Sequence, residues 1–589
     1  AQYLCGRFIG VVAIMLFAYS GILFGLAFGE LMPWVDAEQL GAFNFLTYWN
    51  SFLVFIFPNV LFISALFFAV GTLTRNIFLV YVQGIILIIA QTIAQTLTAD
   101  LDNDRISSLI DPFGGEAFAL VTKYWTVVEQ NTLQLSFFDS YIFSNRILWI
   151  GISLALFAIT YILFDFNVQP IGSRKAKKKN IQQEEKEDAL STYLSLPNVV
   201  THFDFKARVS QYISLTKFYL KSIVTEIPFL AIGAIGILNF VMSAIYSDSI
   251  FGTSTWLVTH AMIEAISGFT LFLLILSTVY AGELINRERE LKLDQTFDAL
   301  NLPNSTTLLG KFTALILAMS FLFLLLIPIG SVVQIAKGFT DIDFSVYLGG
   351  FLFLQLPNIL NYCMIAFLIH TLINNKFIGH FAMVAFFILN EIVLNEIGFE
   401  HNLWEFGSSI GITYSDMNGW GPFLGAKLIW ELHWFFVGGF LLFLSNLFWV
   451  RGTESSFKLR IKSIGQRLNK SATAIGAVLL LASLITGSII YYNTNVLNDY
   501  RNSDDTKDNR AQFEKTYKSY EDLNTPKIVD TYVEVDLYPS ELAYHVKGRN
   551  ILVNKTTSPI DSVWLNWEKD NQYSELGFNK AAKEVHRNE

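Results

Sequence analysis

The side chains from which this chain could build a reaction centre are few. Its eight histidines are His202, His260, His370, His380, His401, His433, His545 and His586. None is followed by Glu, and none has a second His four positions on. The zinc-peptidase arrangement His-Glu-x-x-His places two imidazoles on one helix face, with the Glu as base. That arrangement is absent from these 589 residues, so no catalytic residue and no metal ligand is assigned in the chain. Cys5 and Cys363 lie at or in apolar segments and read as packing thiols rather than a disulfide or a metal site. The stretch TTLLGKFT at 306–313 contains a Gly-Lys pair, but position 305 is Ser, and Phe312 follows Lys311 at the head of an apolar run. A phosphate cradle needs free backbone amides at a helix start in water, so this is no nucleotide site.

The remaining polar groups fall in two sets. Glu391, Gln91, Gln95 and His433 lie in or near apolar runs, whereas Glu264, Glu396 and Glu431 lie nearer their ends. Ionisable groups at membrane depth mark pathways by default. Glu391 could line such a path or pair with Asn390 or Asn395; Gln91 and Gln95, one turn apart, could form a polar stripe or bond between helices. The second set is the turn GELINRERELKLDQTFDALNLPNSTTLLGK at 282–311, with Glu283, Arg287, Glu288, Arg289 and Glu290. Spacings of three and four place Glu283 near Arg287, and Arg287 near Glu290, on one helix surface. On charge alone this is a solvated, salt-bridged helix.

The elements that must position these groups follow from composition. Hydrophobic residues make up 53% of the chain, aromatics 15% and charged residues only 15%. Mean hydropathy is +0.43. A soluble enzyme or a disordered chain carries far more charge, about 25% in ordinary soluble domains. The net charge of −9 argues against a nucleic-acid partner. About eleven apolar runs are long enough to span a bilayer: 8–28, 52–71, 77–97, 146–164, 228–245, 262–281, 312–335, 348–373, 377–397, 426–450 and 472–492. Their length and continuity fit helices, not the strands of a barrel. Strongly basic connections, among them RKAKKK at 174–179 and 451–470, all fall on one side, which is therefore the cytoplasm. The tail after 492 is then outside, periplasmic in a bacterium. The polar stretch 166–205 reads as a cytoplasmic linker, although a basic run beside a membrane could also bind anionic lipid.

Two stretches repeat at an offset of 299. YWNSFLVFIFPNVLFISALFFAVGTLTRNIF from Tyr48 matches YLGGFLFLQLPNILNYCMIAFLIHTLINNKF from Tyr347, pairing Pro58-Asn59 with Pro357-Asn358. LW at 148–149 aligns with IW at 429–430 in the last span of each half. Repeated halves are a common transporter plan. The chain then divides into 1–165, the last four spans of a first half whose opening spans are missing before Ala1; 166–205, linker; 206–450, a six-span second half; 451–471, basic cytoplasmic loop; 472–492, anchoring span; 493–528, linker; and 529–589, the first strands of a β domain. Each proline removes a helical hydrogen bond and predicts a kink, which the Asn side chain could relieve by donating to the freed carbonyl; the kink reads as structural or as a hinge.

With the repeat, the charged turn resembles the cytoplasmic coupling element of six-span ABC-type exporter permeases. There a Gly-Glu at the end of the second span leads to an Arg/Glu-rich turn, a proline and a Gly-Lys; here these are Gly282-Glu283, 287–290, Pro303 and Gly310-Lys311. Residues 206–227 resemble that family's interfacial elbow helix, with Val209, Tyr212, Ile213, Tyr219, Leu220 and Ile223 on one side. The tail at 529–567 alternates apolar and polar residues as three or four antiparallel strands. VDLYPSELAYHVKGRNILVNKTTSPIDSVWLN in it resembles the opening of aminopeptidase-N-like zinc peptidases. Together with DPFGGEAF at 111–118 and NRILW at 145–149, the chain is similar to bacterial fusions of an ABC permease with such a peptidase. The resemblance implies a separate ATP-binding subunit as partner and the source of ATP chemistry, a bacterial inner membrane with the tail periplasmic, a homodimer as an option, and zinc only in a peptidase domain beyond Glu589. A membrane-anchored peptidase with scaffold spans and an ion-coupled transporter using Glu391 are the alternative readings.

Overall fold

The computed structural model describes residues 2–32, 43–76, 79–80, 82–84, 86–87, 91, 104–165, 204–247, 249–250, 253–452, 457–541, 543–565 and 575–586. The chain separates into two units, Ala1–Asn498 and Asp499–Glu589. Among the described residues of the first unit, nine helices are long and apolar enough to cross a membrane, or ten with one bent pair counted as a span. The segment 77–97 falls largely outside the described residues, as does most of the linker 166–205.

Three spanning helices form a first group: α1 (Gln2–Glu30), α2 (Phe45–Thr74) and α3 (Ser140–Leu163). Aromatic rings hold it together. Phe8 stacks on Phe157 at 4.4 Å, and Phe62 meets Trp149 edge-on at 4.8 Å. The second group opens with a non-spanning helix α4 (Phe205–Val224), followed by α5 (Ile227–Tyr246), the bent pair α6 (Thr259–Ser267) and α7 (Thr270–Glu290), and α8 (Asn304–Ala336). Then come α9 (Phe344–Leu372), α10 (Lys376–Glu396) and α11 (Leu424–Leu447). The α6–α7 pair bends by 43°. Its core is sealed by Leu276, Ala281, Leu315, Ala318, Met319 and Phe367. Small residues among these let backbones approach closely, the main attractive device where lipid is as apolar as the helix.

The two prolines do not break their helices. In α2 a five-residue π turn, Phe52–Ile56, precedes Pro58; in α9 a π turn, Phe351–Gln355, precedes Pro357. The amide before each proline bonds five residues back, Phe57 to Phe52 and Leu356 to Phe351. Widening one turn absorbs the missing donor. The boundaries fall at the same offset of 299, and so do the helix starts at Phe45 and Phe344. Asn44 caps the first by accepting from the Leu46 amide, and Asp343 caps the second from Ser345. Asn59 does not repair its own helix: its side chain donates 3.2 Å to the Phe113 carbonyl of a distant loop. Asn358 is half-buried.

α4 also departs from expectation. Tyr219 and Ile223 are buried, and Tyr212 shares a 2.7 Å hydrogen bond with Thr313 of α8. Gly310 lets α8 approach Leu215 and Thr216. Part of the stripe expected to face lipid is therefore packed on protein, while Val209 and Ile213 stay exposed.

After α11 come α12 (Phe457–Arg467) and the last span, α13 (Lys470–Val496). α13 is longer than the anchor expected at 472–492 and is not a free tether. It packs on α11, with Gly476 against Phe443, and with His433 bonding Thr486 at 3.1 Å. In its last turn, Thr494 and Asn495 meet His401 at 2.9 and 3.2 Å.

The second unit holds α14 (Ser503–Tyr517) and an antiparallel hairpin of β1 (Lys527–Tyr538) and β2 (Ala543–Val553). These are the two strands among its described residues, where three or four were expected. Val535 faces Val546, and Leu537 faces Tyr544; on the other side Glu534 faces Lys547 and Asp536 faces His545. Register thus sorts apolar from charged side chains.

A Cβ at Gly476 would come within 2.5 Å of Phe443. Gly476→Val is expected to lower the thermal midpoint of the detergent-purified chain by the equivalent of about 1–3 kcal/mol. An unchanged midpoint would mean that α13 does not depend on this seam.

Candidate functional site: the charged turn and its clamps

α7 runs out of its span into the charged segment and ends on a left-handed Lys292, φ 56°. The Leu293 amide bonds the Glu288 carbonyl at 2.8 Å and the Lys292 amide bonds Arg289 at 3.0 Å. These two bonds form a Schellman ending, here with Lys where Gly is usual. A short helix, Asp294–Asp298, and Pro303 then lead into α8.

The charged side chains do not mainly serve one another, as the helical spacing predicted. Glu283, Arg287, Glu288 and Glu290 reach other elements. Lys311, fully buried in the first turns of α8, contacts Glu288 at 2.6 Å and donates to the Leu284 carbonyl at 2.6 Å. Tyr219 of α4 donates to the other Glu288 oxygen at 2.6 Å. The ammonium also sits 5.2 Å from the Tyr219 ring and 5.4 Å from the Trp449 ring, a cation–π setting. Burial, then the adjacent Glu288 charge, pushes the Tyr219 hydroxyl above its ordinary range. Arg287 pairs with Glu226, ahead of α5, at 3.5 Å and bonds Ser222 of α4. Burial raises the Glu226 carboxyl against the pull of Arg287. Lys376, at the head of α10, joins Glu283 at 3.1 Å and Glu290 at 2.5 Å. Arg289 lines a cavity of about 30 Å³ with Asp294, Asp298 and His370, large enough for a water molecule.

The basic stretch after α11 completes the frame. Arg451 donates to the carbonyls of Asp298, Leu300 and Leu302 at 3.0, 2.6 and 3.0 Å, and the Gly452 amide bonds the Asp298 carboxylate at 2.6 Å. Arg460 caps the last carbonyls of α9, Thr371 and Leu372, at 2.7 and 2.8 Å. Arg467 caps Leu447 and Trp449 at the end of α11. Loss of hydration pushes both guanidinium groups below their ordinary range. Three leucines stand exposed at the tip, Leu291, Leu293 and Leu300 at 59%, 52% and 49%, beside exposed Lys292, Gln295 and Thr296.

Of the residues expected along an intramembrane path, Gln91 donates to Asp111 at 2.7 Å; Gln95 lies outside the described residues. Asp111 belongs to a buried lock. It accepts from the amides of Phe113 and Glu116, while Asn145 donates to the Ser108 and Asp111 carbonyls, and Arg146 donates to Asn59 at 2.8 Å. Glu391 lies on a π turn, Leu389–Val393, five residues before α10 ends, and its carbonyl accepts from Asn395. Its neighbour Asn390 exchanges two bonds with the Phe406 backbone, at 2.8 and 3.2 Å. Glu431 pairs with Lys427 at 2.8 Å and accepts from Ser409 at 2.9 Å. Trp149 donates to the Leu109 carbonyl. In the second group that role falls to Trp434, which donates to Ser408, one turn beyond the Trp430 matched by sequence.

The sequence marks Lys311 as part of a Gly-Lys pair, and its further signal is a lysine at the head of an otherwise apolar span, where an uncompensated charge is costly. The Arg451, Arg460 and Arg467 clamps show in the sequence as bulk positive charge, since long-range capping leaves no mark in local spacing. Among the described residues no three His, Cys, Asp or Glu side chains gather as a metal site. No protein family, curated protein or solved structure matches the chain.

Removing one partner of a buried pair leaves the other charge uncompensated. Lys311→Met is expected to destabilise the chain by about 3–5 kcal/mol, and Lys311→Met with Glu288→Gln by clearly less. Equal loss in both, read by thermal unfolding in detergent, would show that Lys311 matters through packing alone.

Proposed function

We propose that this chain is the membrane-spanning part of an ABC-type exporter, driven by a separate ATP-binding subunit that docks on the turn between α7 and α8. The observation that carries the reading is the turn itself. Three leucines stand exposed on a tip whose backbone is fastened by Arg451 and whose root is fastened by the Lys311–Glu288 pair. Exposed apolar side chains on a rigid support are what a docking surface requires. The resemblance of 282–311 to the coupling element of exporter permeases points the same way.

In this reading Glu283, Arg287, Glu288, Arg289 and Glu290 are positioning residues, and the leucines meet the partner. ATP-driven movement of the tip passes to α7 and α8 together, because Lys311 joins them. It passes to α10 through Lys376 and to α4 through Tyr219 and Ser222. The π turns of α2 and α9 are the places where spans can change pitch without losing their hydrogen bonds. Their equal offset, with equivalent caps, supports two related halves alternating about a path. The basic ends of the spans lie in the cytoplasm of a bacterial cell, the membrane is the inner one, and the second unit is periplasmic. There its hairpin supports the reading of a peptidase-like β module fused to the exporter, with zinc held by residues outside this chain. A homodimer is compatible with this plan.

Leu293→Asp with Leu300→Asp is expected to lower the amount of ATP-binding subunit recovered with the complex at least about tenfold, with the thermal midpoint unchanged. Full recovery of the subunit with both substitutions would sink the docking assignment.

A further inference from the structure

α12 has a position that its amphipathic sequence does not by itself explain. Arg460 and Arg467 tie its inner face to the terminal carbonyls of α9 and α11, two spans. Three residues after α12 ends, α13 begins its own span at Lys470. The helix therefore lies across the ends of three spans, at the depth where hydrocarbon gives way to headgroups. Its outward side carries Phe457 and Ile461, 51% and 50% exposed, beside exposed Lys458 and Lys462. Between 457 and 470 there are five cations and no acidic residue. Two of those cations are used inside the fold, which leaves Lys458, Lys462 and Lys470 outward.

We propose that α12 is an anionic-phospholipid site, in which Phe457 and Ile461 enter the acyl boundary and Lys458, Lys462 and Lys470 hold lipid phosphate. The occupant follows from two matches. Exposed apolar side chains beside the span ends fit lipid, and a run of cations without an acidic residue fits a negative headgroup. Because the same helix contributes Arg460 and follows the segment that carries Arg451, bound lipid also steadies the clamps on the charged turn. The proposal rests on the functional reading only for the name of the leaflet, the cytoplasmic one; the binding itself does not depend on it.

The test uses the full chain in discs of equal phosphatidylglycerol and phosphatidylcholine, with retained lipid counted by native mass spectrometry. The wild type is expected to retain phosphatidylglycerol preferentially, and K458Q/K462Q/K470Q to retain it at least about tenfold less. Raising salt from about 0.05 to about 0.5 M should strip that lipid from the wild type by screening, a result that stands even if the variant fails to fold. Equal retention of both lipids by the wild type overturns the site. So does a folded variant that keeps its phosphatidylglycerol but loses the ATP-binding subunit, which would make the edge a protein contact. Because both leaflets of a disc share one composition, failure here is separate from failure of the orientation, which cysteine labelling of intact cells would report.

Discussion

An ammonium ion sealed from water must carry its counter-charge with it, and much of the second group of helices is arranged around that requirement at Lys311. Glu288 supplies the charge, Leu284 a carbonyl, and Tyr219 both a hydroxyl for Glu288 and a ring for the ammonium. Desolvating two ions costs several kcal/mol each and is repaid only when every lone pair and proton has a partner. Meeting that condition draws together the end of α7, the start of α8, the flank of α4 and Trp449 after α11. The turn between α7 and α8 is rigid because its root cannot open without stranding a charge. Arg451 then fixes the far side through backbone carbonyls, the groups a helix end most needs to satisfy.

The opposite ends of the spans solve the same problem chiefly with amide and indole side chains. In the first group Asn59, Asn145 and Trp149 take up carbonyls from one loop, and Asp111 takes up its amides. In the second, Asn390 and Trp434 do so for the loop containing Phe406 and Ser408. Irregular backbone at membrane depth is tolerated only where protein satisfies it. The π turns lie toward the start of α2 and α9.

Length, apolar content and the offset of 299 were legible in the sequence because they are local or periodic properties. The described spanning helices coincide with runs read from composition, and the π turns begin and end in step with the Pro-Asn repeat. What the sequence could not disclose was the partner of each charge. Spacings of three and four around Arg287 are real, yet Glu226 and Ser222 compete for it from other elements, and tertiary contact won. The proline at 357 signalled a defect but not its form, since a kink and a π turn both dispose of one missing donor. The tail alternated correctly for β1 and β2, and beyond Val553 the alternation was not matched by further strands among the described residues.

Gly114 holds a left-handed backbone, φ 78°, and a Cβ there would fall on the guanidinium of Arg146, which is wholly buried. In genetic terms the two positions form one locus. A side chain at 114 displaces the arginine and releases Asn59, so it should mimic loss of residue 146 itself. Suppressors of a damaged Gly114 would then arise at Arg146 and Asp111 together, replaced by neutral residues, before they arose anywhere along the apolar faces.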